Sequence, residues 1–266
     1  MIPKILLQTS KKKLSQYILD NINSHIDSDW QYMHFTDAEI LEFFKNNPID
    51  ELPDIANVFN NLPCGEYKAD LFRYYFLYLK GGVFVDSDLE LNHDLNFYIS
   101  NYNYFTVQAS AENENCYFQG LLGVAPKNKI IFESLLDTYN FFRNNQQTSF
   151  YTELCYRFRQ ISLKHEFEYK VKILDEIIYD GYAIIIDNHS NQIIATHFQT
   201  SGIIPPPVDK EKNTSRKQLI RAAYLNYLNR EPDESGLQNY LNSNLTIHGV
   251  VIALSNSNEY KELHKL

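Results

Sequence analysis

Cysteine, tryptophan and positive charge are all scarce in this chain of 266 residues. It has three cysteines and one tryptophan, and its formal net charge is -9. Cys64, Cys116 and Cys155 are odd in number and lack paired spacing, so neither a disulfide framework nor a structural zinc site is indicated. An acidic chain is repelled by the phosphate backbone of DNA and RNA, which argues against a nucleic-acid partner.

Long apolar runs are also missing. The most apolar stretch, residues 71–79, contains Arg73 and is far too short to cross a bilayer. The N-terminus lacks the basic and then apolar pattern of a signal peptide. We therefore expect a cytoplasmic protein without a transmembrane segment. The basic run at residues 11–13 leaves peripheral contact with the inner face of the membrane as an alternative.

What the chain has in quantity is apolar and aromatic side chains, at 44% and 14% of all residues. That content suffices for one sizeable core and a small satellite unit. Apolar periodicity predicts a strand at residues 2–8, a helix at 14–26, a strand at 30–35 and a helix up to 44. This alternation indicates an α/β sheet with its chemistry at the strand ends.

A proline run marks the clearest boundary in the chain. Pro205, Pro206 and Pro207 precede a charged stretch, which is typical of a stiff linker. Residues 218–228, 234–241 and 247–254 beyond it have helical periodicity. We therefore predict an α/β domain at residues 1–208 and a small all-α domain at residues 209–266.

A pair of aspartates carries the chemistry of the first domain. A predicted helix at residues 66–80, a Gly-Gly break and a short apolar strand lead directly to Asp86 and Asp88. In extended geometry this spacing points both carboxylates to one side. A hard divalent cation relieves their repulsion and can bridge the phosphates of a nucleotide-sugar. The alternative is a solvated acidic loop.

Two charged residues on the preceding helix strengthen the prediction. Asp70 and Arg73 are three positions apart, so they share one helical face, which can return close to the strand end. An acid for sugar hydroxyls and a guanidinium for phosphate suit a glycosyl pocket. The alternative is a plain intrahelical ion pair.

These motifs together resemble a known family. The segments ADLFRY at 69–74, LY at 77–78 and GGVFVDSD at 81–88 resemble the pattern A-D-x-x-R-Y, L-Y, G-G-x-x-x-D-x-D of glycosyltransferase family thirty-two, the DXD-type sugar transferases. The resemblance covers roughly residues 1–205. It implies a GT-A fold, the Rossmann-like fold of nucleotide-diphospho-sugar transferases, and metal-dependent transfer with retention of the anomeric configuration.

Softer correspondences extend the resemblance to further site residues. Gln8 and Thr9 fall in a segment similar to the opening strand of the family, which lies against the nucleotide base. Gln119 stands where an asparagine is usual, and its amide would face the anomeric carbon. His197 and Ser201 fall in a segment similar to the closing one, which helps bind metal and diphosphate.

The chain also departs from the family pattern at three aromatic or histidine positions. Leu7 replaces the opening histidine, while Ser10 and Gly202 replace tryptophans. These changes alter the walls around base and sugar, so the sequence does not settle the donor.

The resemblance assigns a role to each candidate. Asp88 would coordinate Mn²⁺ or Mg²⁺, and Asp86 would hold ribose or sugar hydroxyls and reach the metal through water. Asp70 and Arg73 would clamp the donor sugar, with His197 on the metal and phosphate side. We expect a hexose to pass from a nucleotide-sugar, a UDP-sugar in preference to a GDP-sugar, to a saccharide acceptor in surface-polysaccharide or glycan synthesis.

The C-terminal stretch resembles a different family. Residues 215–262 are similar to a small bacterial helical domain of unknown function with the pattern L-G-R-x-P-D-x-x-G-L and a later S-x-E-F. Arg230, Asp233 and Glu259 fall on its charged positions. This resemblance implies docking of a partner or self-association, and a stabilising cap is the alternative.

Two other interpretations of the whole chain remain. The strand leading into Asp86 and Asp88 also resembles the nucleophile strand of haloacid-dehalogenase-like phosphatases, although Glu90 stands where that family has threonine or valine. The missing tryptophans would also suit a decayed transferase that only binds sugar. Metal-dependent hydrolysis of a nucleotide-sugar would exclude the decayed module, and hydrolysis of simple phosphate esters would favour the phosphatase.

Overall fold

A computed structural model describes most of the chain. It covers residues 1–11, 13–110, 115–149, 152–179, 182–190 and 192–198 and, further on, residues 217, 220, 221, 224, 228, 230–243, 250, 253, 254 and 257–263. Helices flank a large sheet, and this confirms the predicted α/β class. Among the described residues, no helix combines the length and apolar character needed to cross a membrane.

The elements follow the predicted alternation in the first half of the chain. The strands are β1 Ile5–Thr9, β2 Gln31–Phe35, β3 Gly82–Val85, β4 Leu89–Leu91, β5 Tyr104–Gln108, β6 Tyr117–Val124, β7 Val171–Tyr179, β8 Tyr182–Asp187 and β9 Gln192–Phe198. The helices are α1 Gln16–His25, α2 Asp37–Asn46, α3 Ile55–Asn60, α4 Gly65–Lys80, α5 Asn96–Asn101, α6 Lys129–Arg143, α7 Glu153–His165, α8 Glu234–Asn242 and α9 Asn258–Leu263, with a 3₁₀ turn at Glu166–Glu168.

The described strands form one mixed sheet in the order β2-β1-β3-β6-β5-β7-β8-β9-β4. Only β1 with β2, β1 with β3 and β5 with β7 pair in parallel, and the other neighbours are antiparallel. Strand β4 is last in this order, yet it begins four residues after β3 ends. A connection that short requires the sheet to curl, which brings the edge formed by β9 and β4 close to the end of β3.

Alternating side chains divide the core between the two faces of the sheet. Leu7 and Phe84 pack with α2, α3, α4, α6 and α7, whereas Leu6 and Val83 pack with α1 and α5. Successive residues of a strand point to opposite faces, so each inner strand contributes to both clusters. Strand β3 is fully buried as a result, and its C-terminal end is held at a fixed place in the fold.

Helix α4 ends at a sharp glycine turn into β3. Gly81 and Gly82 have φ values of 69° and 111°, a region that side chains rarely adopt. A Cβ on Gly82 would lie 2.7 Å from the carbonyl oxygen of Ile5 in the neighbouring strand. The two glycines therefore allow the helix to reverse directly into the sheet, which sets the helix alongside the strand end.

The described part of the C-terminal stretch has its own small core, formed by Ile220, Tyr224, Leu228, Leu237, Val250 and Leu254. Arg230 pairs with Glu259 through its Nε and Nη2, and Asp233 accepts a hydrogen bond from the Gly236 N–H at the start of α8. The charged positions of the C-terminal pattern thus have structural partners. The proline run lies outside the described residues, and the division after residue 208 stays a prediction.

Candidate active site

The two motif aspartates lie in a tight turn between β3 and β4. The N–H of Asp86 donates to the carbonyl of Gly120 at 2.8 Å, and the N–H of Leu89 donates to the carbonyl of Asp86 at 3.1 Å. The backbone is therefore not extended through the motif, and the expectation based on extended geometry was wrong. The turn forms because β4 must reverse to pair with β9, and it gives the two carboxylates different partners.

Arg73 connects the helix to the motif. Its Nη2 lies 3.2 Å from Oδ1 of Asp70 and 3.3 Å from Oδ1 of Asp86, and its side chain is only 5% exposed. The guanidinium carbon lies 4.2 Å from the centre of the Phe84 ring, which supports it from below. The intrahelical pair is real, but the same guanidinium also reaches the strand end, as the shared helical face predicts.

Burial and charge together set the ionisation of this cluster. Burial raises the pKa of Asp70 to about 6, against the lowering effect of Arg73. Burial likewise raises the pKa of Asp86, where Arg73 lowers it and Asp88 raises it again. Arg73 is thus the cation that keeps two crowded carboxylates charged near neutral pH.

Asp88 faces a histidine on β9, the strand that pairs with β4. Nε2 of His197 lies 3.6 Å from Oδ2 of Asp88, and Nδ1 lies 3.4 Å from Oε1 of Glu176. The pKa of His197 is raised to about 10: burial lowers it, and the contacts with Asp88 and Glu176 more than offset that effect. The ring of Phe118 lies against the imidazole at a tilt of 30°, with 4.8 Å between the ring centres.

Gln8 supports the turn from β1. Its Nε2 donates to the backbone carbonyl of Asp86 at 3.3 Å, and its Oε1 accepts from the hydroxyl of Tyr32 at 3.0 Å. The side chain is fully buried. Thr9 is the last residue of β1. Because β1 pairs in parallel with β3, Thr9 lies at the same end of the sheet as the turn that follows β3.

Gln119 lies next to the site but faces the helices. It is 2% exposed, its Oε1 accepts from the hydroxyl of Tyr74, and its Nε2 lies 3.5 Å from the sulfur of Cys155. Ser201 lies outside the described residues. The structure thus brings together Gln8, Asp70, Arg73, Asp86, Asp88 and His197, with Gln119 behind them.

Gly120 leaves room for the motif. A Cβ at this position would lie 2.2 Å from Cζ of Phe118 and 2.5 Å from Oδ2 of Asp86. Real Cβ atoms do not approach so closely, so the bare backbone of β6 is what lets the Asp86 carboxylate and the Phe118 ring share this space.

These side chains fit a divalent cation only in part. Asp86 and Asp88 are close enough for one charge to raise the pKa of the other, and His197 adds an imidazole. Within the described ranges, however, no three His, Cys, Asp or Glu side chains are grouped so that they could hold a metal by themselves. Mg²⁺ sites with one or two carboxylates take their remaining oxygens from phosphates and water, and the residues fit that kind of site.

Sequence reasoning missed three residues that shape the site, namely Glu176, Tyr32 and Gly120. Glu176 is an acid within the largely apolar strand β7, which extends to Tyr179. Two consecutive acids, Asp175 and Glu176, inside a largely apolar strand were the available signal. The contacts of Tyr32 and Gly120 depend on strand pairing, which the sequence does not display.

Comparison with known proteins shows which families two parts of the chain resemble. Residues 11–106 match the family described as glycosyltransferase sugar-binding region containing DXD motif, and residues 208–264 match a domain of unknown function (DUF4214). The first match contains the whole of α4, β3 and the turn. This part of the chain is therefore similar to the DXD-containing sugar-binding region of glycosyltransferases, while membership of family thirty-two stays a prediction.

The names of individual relatives refer to mannosyl transfer or to a mannosylated product. The chain is 31% identical over 98 residues to inositol phosphoceramide mannosyltransferase 3 of Schizosaccharomyces pombe, which is 36% of this chain and 26% of that protein. It is 32% identical over 91 residues to mannosyl phosphorylinositol ceramide synthase SUR1 of Saccharomyces cerevisiae, covering 33% of this chain and 23% of that protein. The chain thus spans about a quarter of the relatives it matches.

A solved structure also overlays on the chain. The PaToxG glycosyltransferase is 13% identical, with a TM-score of 0.42 over 62% of this chain and 69% of that one.

Proposed function

We propose that this protein is a metal-dependent glycosyltransferase of the GT-A type that transfers a hexose from a nucleotide-diphosphate sugar to a saccharide acceptor with retention. The observation that carries the proposal is the contact of Arg73 with both Asp70 and Asp86, at 3.2 and 3.3 Å. It joins the A-D-x-x-R helix to the D-x-D turn within the region that matches the sugar-binding family.

The residues have two tasks, binding of the cation and binding of the donor sugar. Asp88 and His197 would hold the cation, and Arg73 would hold Asp86 in place beside it. Asp70 and Arg73 would bind hydroxyls of the donor sugar, because a carboxylate and a guanidinium together accept and donate such bonds. A bound Mn²⁺ or Mg²⁺ would neutralise the charge that develops on the leaving diphosphate.

Retention needs no dedicated base in this arrangement. We propose that the acceptor hydroxyl approaches on the face that the diphosphate leaves and passes its proton to a diphosphate oxygen. The task of the protein is then orientation and electrostatic stabilisation. Gln119 is bonded to Tyr74 and Cys155, so in this role its amide would support the pocket wall instead of touching the anomeric carbon.

Two observations favour different donor sugars. The sequence resemblance favours a UDP-sugar, whereas the names of the matched relatives refer to mannose. A thermal-shift screen with Mn²⁺ and UDP-glucose, UDP-galactose, UDP-N-acetylglucosamine and GDP-mannose separates them, because a ligand that binds the folded state raises its melting temperature.

Substitution of Asp88 by asparagine tests the metal role. Asp88→Asn removes one charge from a half-buried turn and keeps the size of the side chain, so we expect transfer to fall more than about tenfold without loss of folding. Transfer is measured with the donor from the screen and saturating Mn²⁺. Asp29→Asn, on a side chain that is 78% exposed, is the control and should match the wild type.

The same assay separates the alternatives. More than about a tenth of wild-type transfer in Asp88→Asn would remove Asp88 from the metal site. Nucleotide-sugar binding without any turnover would instead indicate a decayed binding module. Hydrolysis of simple phosphate esters without sugar transfer would indicate a phosphatase.

A further inference from the structure

Glu176 is a buried acid with no role in the proposed reaction. It lies on β7, and its side chain is 7% exposed. One carboxylate oxygen, Oε2, accepts the backbone N–H of Ser110 at 3.3 Å, and the other, Oε1, faces Nδ1 of His197 at 3.4 Å. A carboxylate buried this deeply is costly unless its partners hold it in place, so its position is specific.

Strand pairing explains why Glu176 and His197 meet. In the ladder of β7, β8 and β9, Glu176 is opposite Ile185, while Ala183 is opposite His197. Residues opposite each other or two apart share a face of the sheet, so Glu176, Ala183 and His197 point to the same side. The small side chain of Ala183 lies between the two strands and leaves the carboxylate room to reach the ring.

The two ring nitrogens of His197 therefore face two different carboxylates. Nδ1 faces Glu176, and Nε2 faces Asp88 at 3.6 Å. In neutral imidazole one nitrogen carries the proton and the other offers a lone pair. When the cation takes the place of the proton on Nε2, a carboxylate that accepts from Nδ1–H keeps the other proton there and leaves the Nε2 lone pair toward the turn. Metal-binding histidines commonly have such a carboxylate behind them.

We propose that Glu176 is a positioning residue that fixes the orientation and the tautomer of His197 so that Nε2 can bind the cation shared with Asp88. This inference rests on the proposed function. It adds a residue that neither the matched sugar-binding region, at residues 11–106, nor the D-x-D motif contains. The alternative is a purely structural ion network, in which His197 stays an imidazolium between two acids and never touches a metal.

Binding of Mn²⁺ by the full chain tests the proposal without turnover. Free Mn²⁺ is measured by its electron paramagnetic resonance signal, in titrations with metal alone and with fixed UDP or GDP, against nucleotide blanks without protein. We expect Glu176→Gln to raise the dissociation constant for Mn²⁺ about 10- to 100-fold. The matched control is Glu133→Gln, since Glu133 contacts a different histidine, His165, at 2.8 Å. That variant should bind Mn²⁺ as the wild type does.

A double-mutant cycle with His197→Ala shows whether Glu176 acts through the histidine. If it does, adding Glu176→Gln to His197→Ala causes little further loss of Mn²⁺ affinity. The proposal is overturned if the dissociation constant of Glu176→Gln for Mn²⁺ is within about threefold of the wild-type value. It is also overturned if Glu176→Gln raises that constant by the same factor in the His197→Ala background as in the wild type. Failure of the wild type to bind Mn²⁺ with either nucleotide would instead overturn the metal step of the proposed function.

The tautomer can be read in the wild type, which avoids the risk that a variant does not fold. In protein labelled with ¹⁵N-histidine and saturated with Mg²⁺ and UDP or GDP, long-range ¹H–¹⁵N correlations should show the proton of His197 on Nδ1 and none on Nε2. A proton on Nε2, alone or together with one on Nδ1, would support the structural ion network and overturn the proposal.

Discussion

Replacing Arg73 by methionine tests the electrostatics of the cluster most directly. Methionine has nearly the length of arginine and can keep the apolar packing over Phe84, but it carries no charge. The substitution leaves Asp70 and Asp86 without the guanidinium that lies 3.2 and 3.3 Å from them. The expected loss of stability therefore comes from two crowded carboxylates without a counter-charge.

The burial of the Arg73 ion pairs sets the size of the loss of stability. Removing one partner of a buried ion pair costs about 3–5 kcal/mol. The side chain of Asp86 is 26% exposed, so water screens part of its charge, and we take the lower value of about 3 kcal/mol. At about 2–4 °C per kcal/mol for a domain of this size, the melting temperature should fall by about 6–12 °C.

The loss should also depend on pH. Without Arg73, the pKa of Asp70, already raised from 3.8 to about 6, rises further. A carboxyl with a raised folded-state pKa costs no stability below its unfolded pKa, where both states are protonated. The cost appears as pH rises through that value and is complete above the folded-state pKa. The difference between variant and wild type should therefore be large at about pH 8 and small at about pH 4.

The assay is thermal unfolding at several pH values with EDTA present, because a bound cation could take over the neutralising role of the guanidinium. Arg157→Met is the control. Arg157 also forms a two-pronged pair, with Asp137 at 2.6 and 2.7 Å, but both side chains are about one-third exposed. Arg157→Met should lower the free energy of unfolding by less than about 1 kcal/mol. If the melting temperature of Arg73→Met falls by less than about 2 °C, or if the decrease does not change with pH, the reasoning is refuted.

Two other predictions concern the space beside the motif and the domain boundary. Gly120→Ala should displace the Asp86 carboxylate and sharply weaken donor turnover. Gly65→Ala should leave turnover unchanged, because its Cβ would meet only Lys11, at 3.6 Å. Equal turnover in the two variants would contradict the steric argument. Truncation after Val208 should leave a folded domain that hydrolyses its donor slowly and differs in assembly, as seen by light scattering. An insoluble or inactive fragment would show that the C-terminal helices complete the core or the site.

The local elements around the site follow from the sequence because their causes are local. Periodicity predicts α4 almost to the residue, the Gly81-Gly82 pair predicts its end, and three apolar residues predict the buried strand β3. The spacing of Asp70 and Arg73 along one helical turn also determines that both face the same neighbour. The candidate cluster of Asp70, Arg73 and Asp86 could therefore be predicted before any tertiary structure was known.

Only the tertiary structure decides what the second half of the site contains. The turn geometry at Asp86 and Asp88 arises because β4 must reach β9, more than one hundred residues later in the chain. The contact of His197 with Glu176 depends on the register of three strands, and a shift of one residue would turn the side chains to the other face. Helix and turn signals are read from neighbours in sequence, whereas strand order and register are set by packing between distant segments.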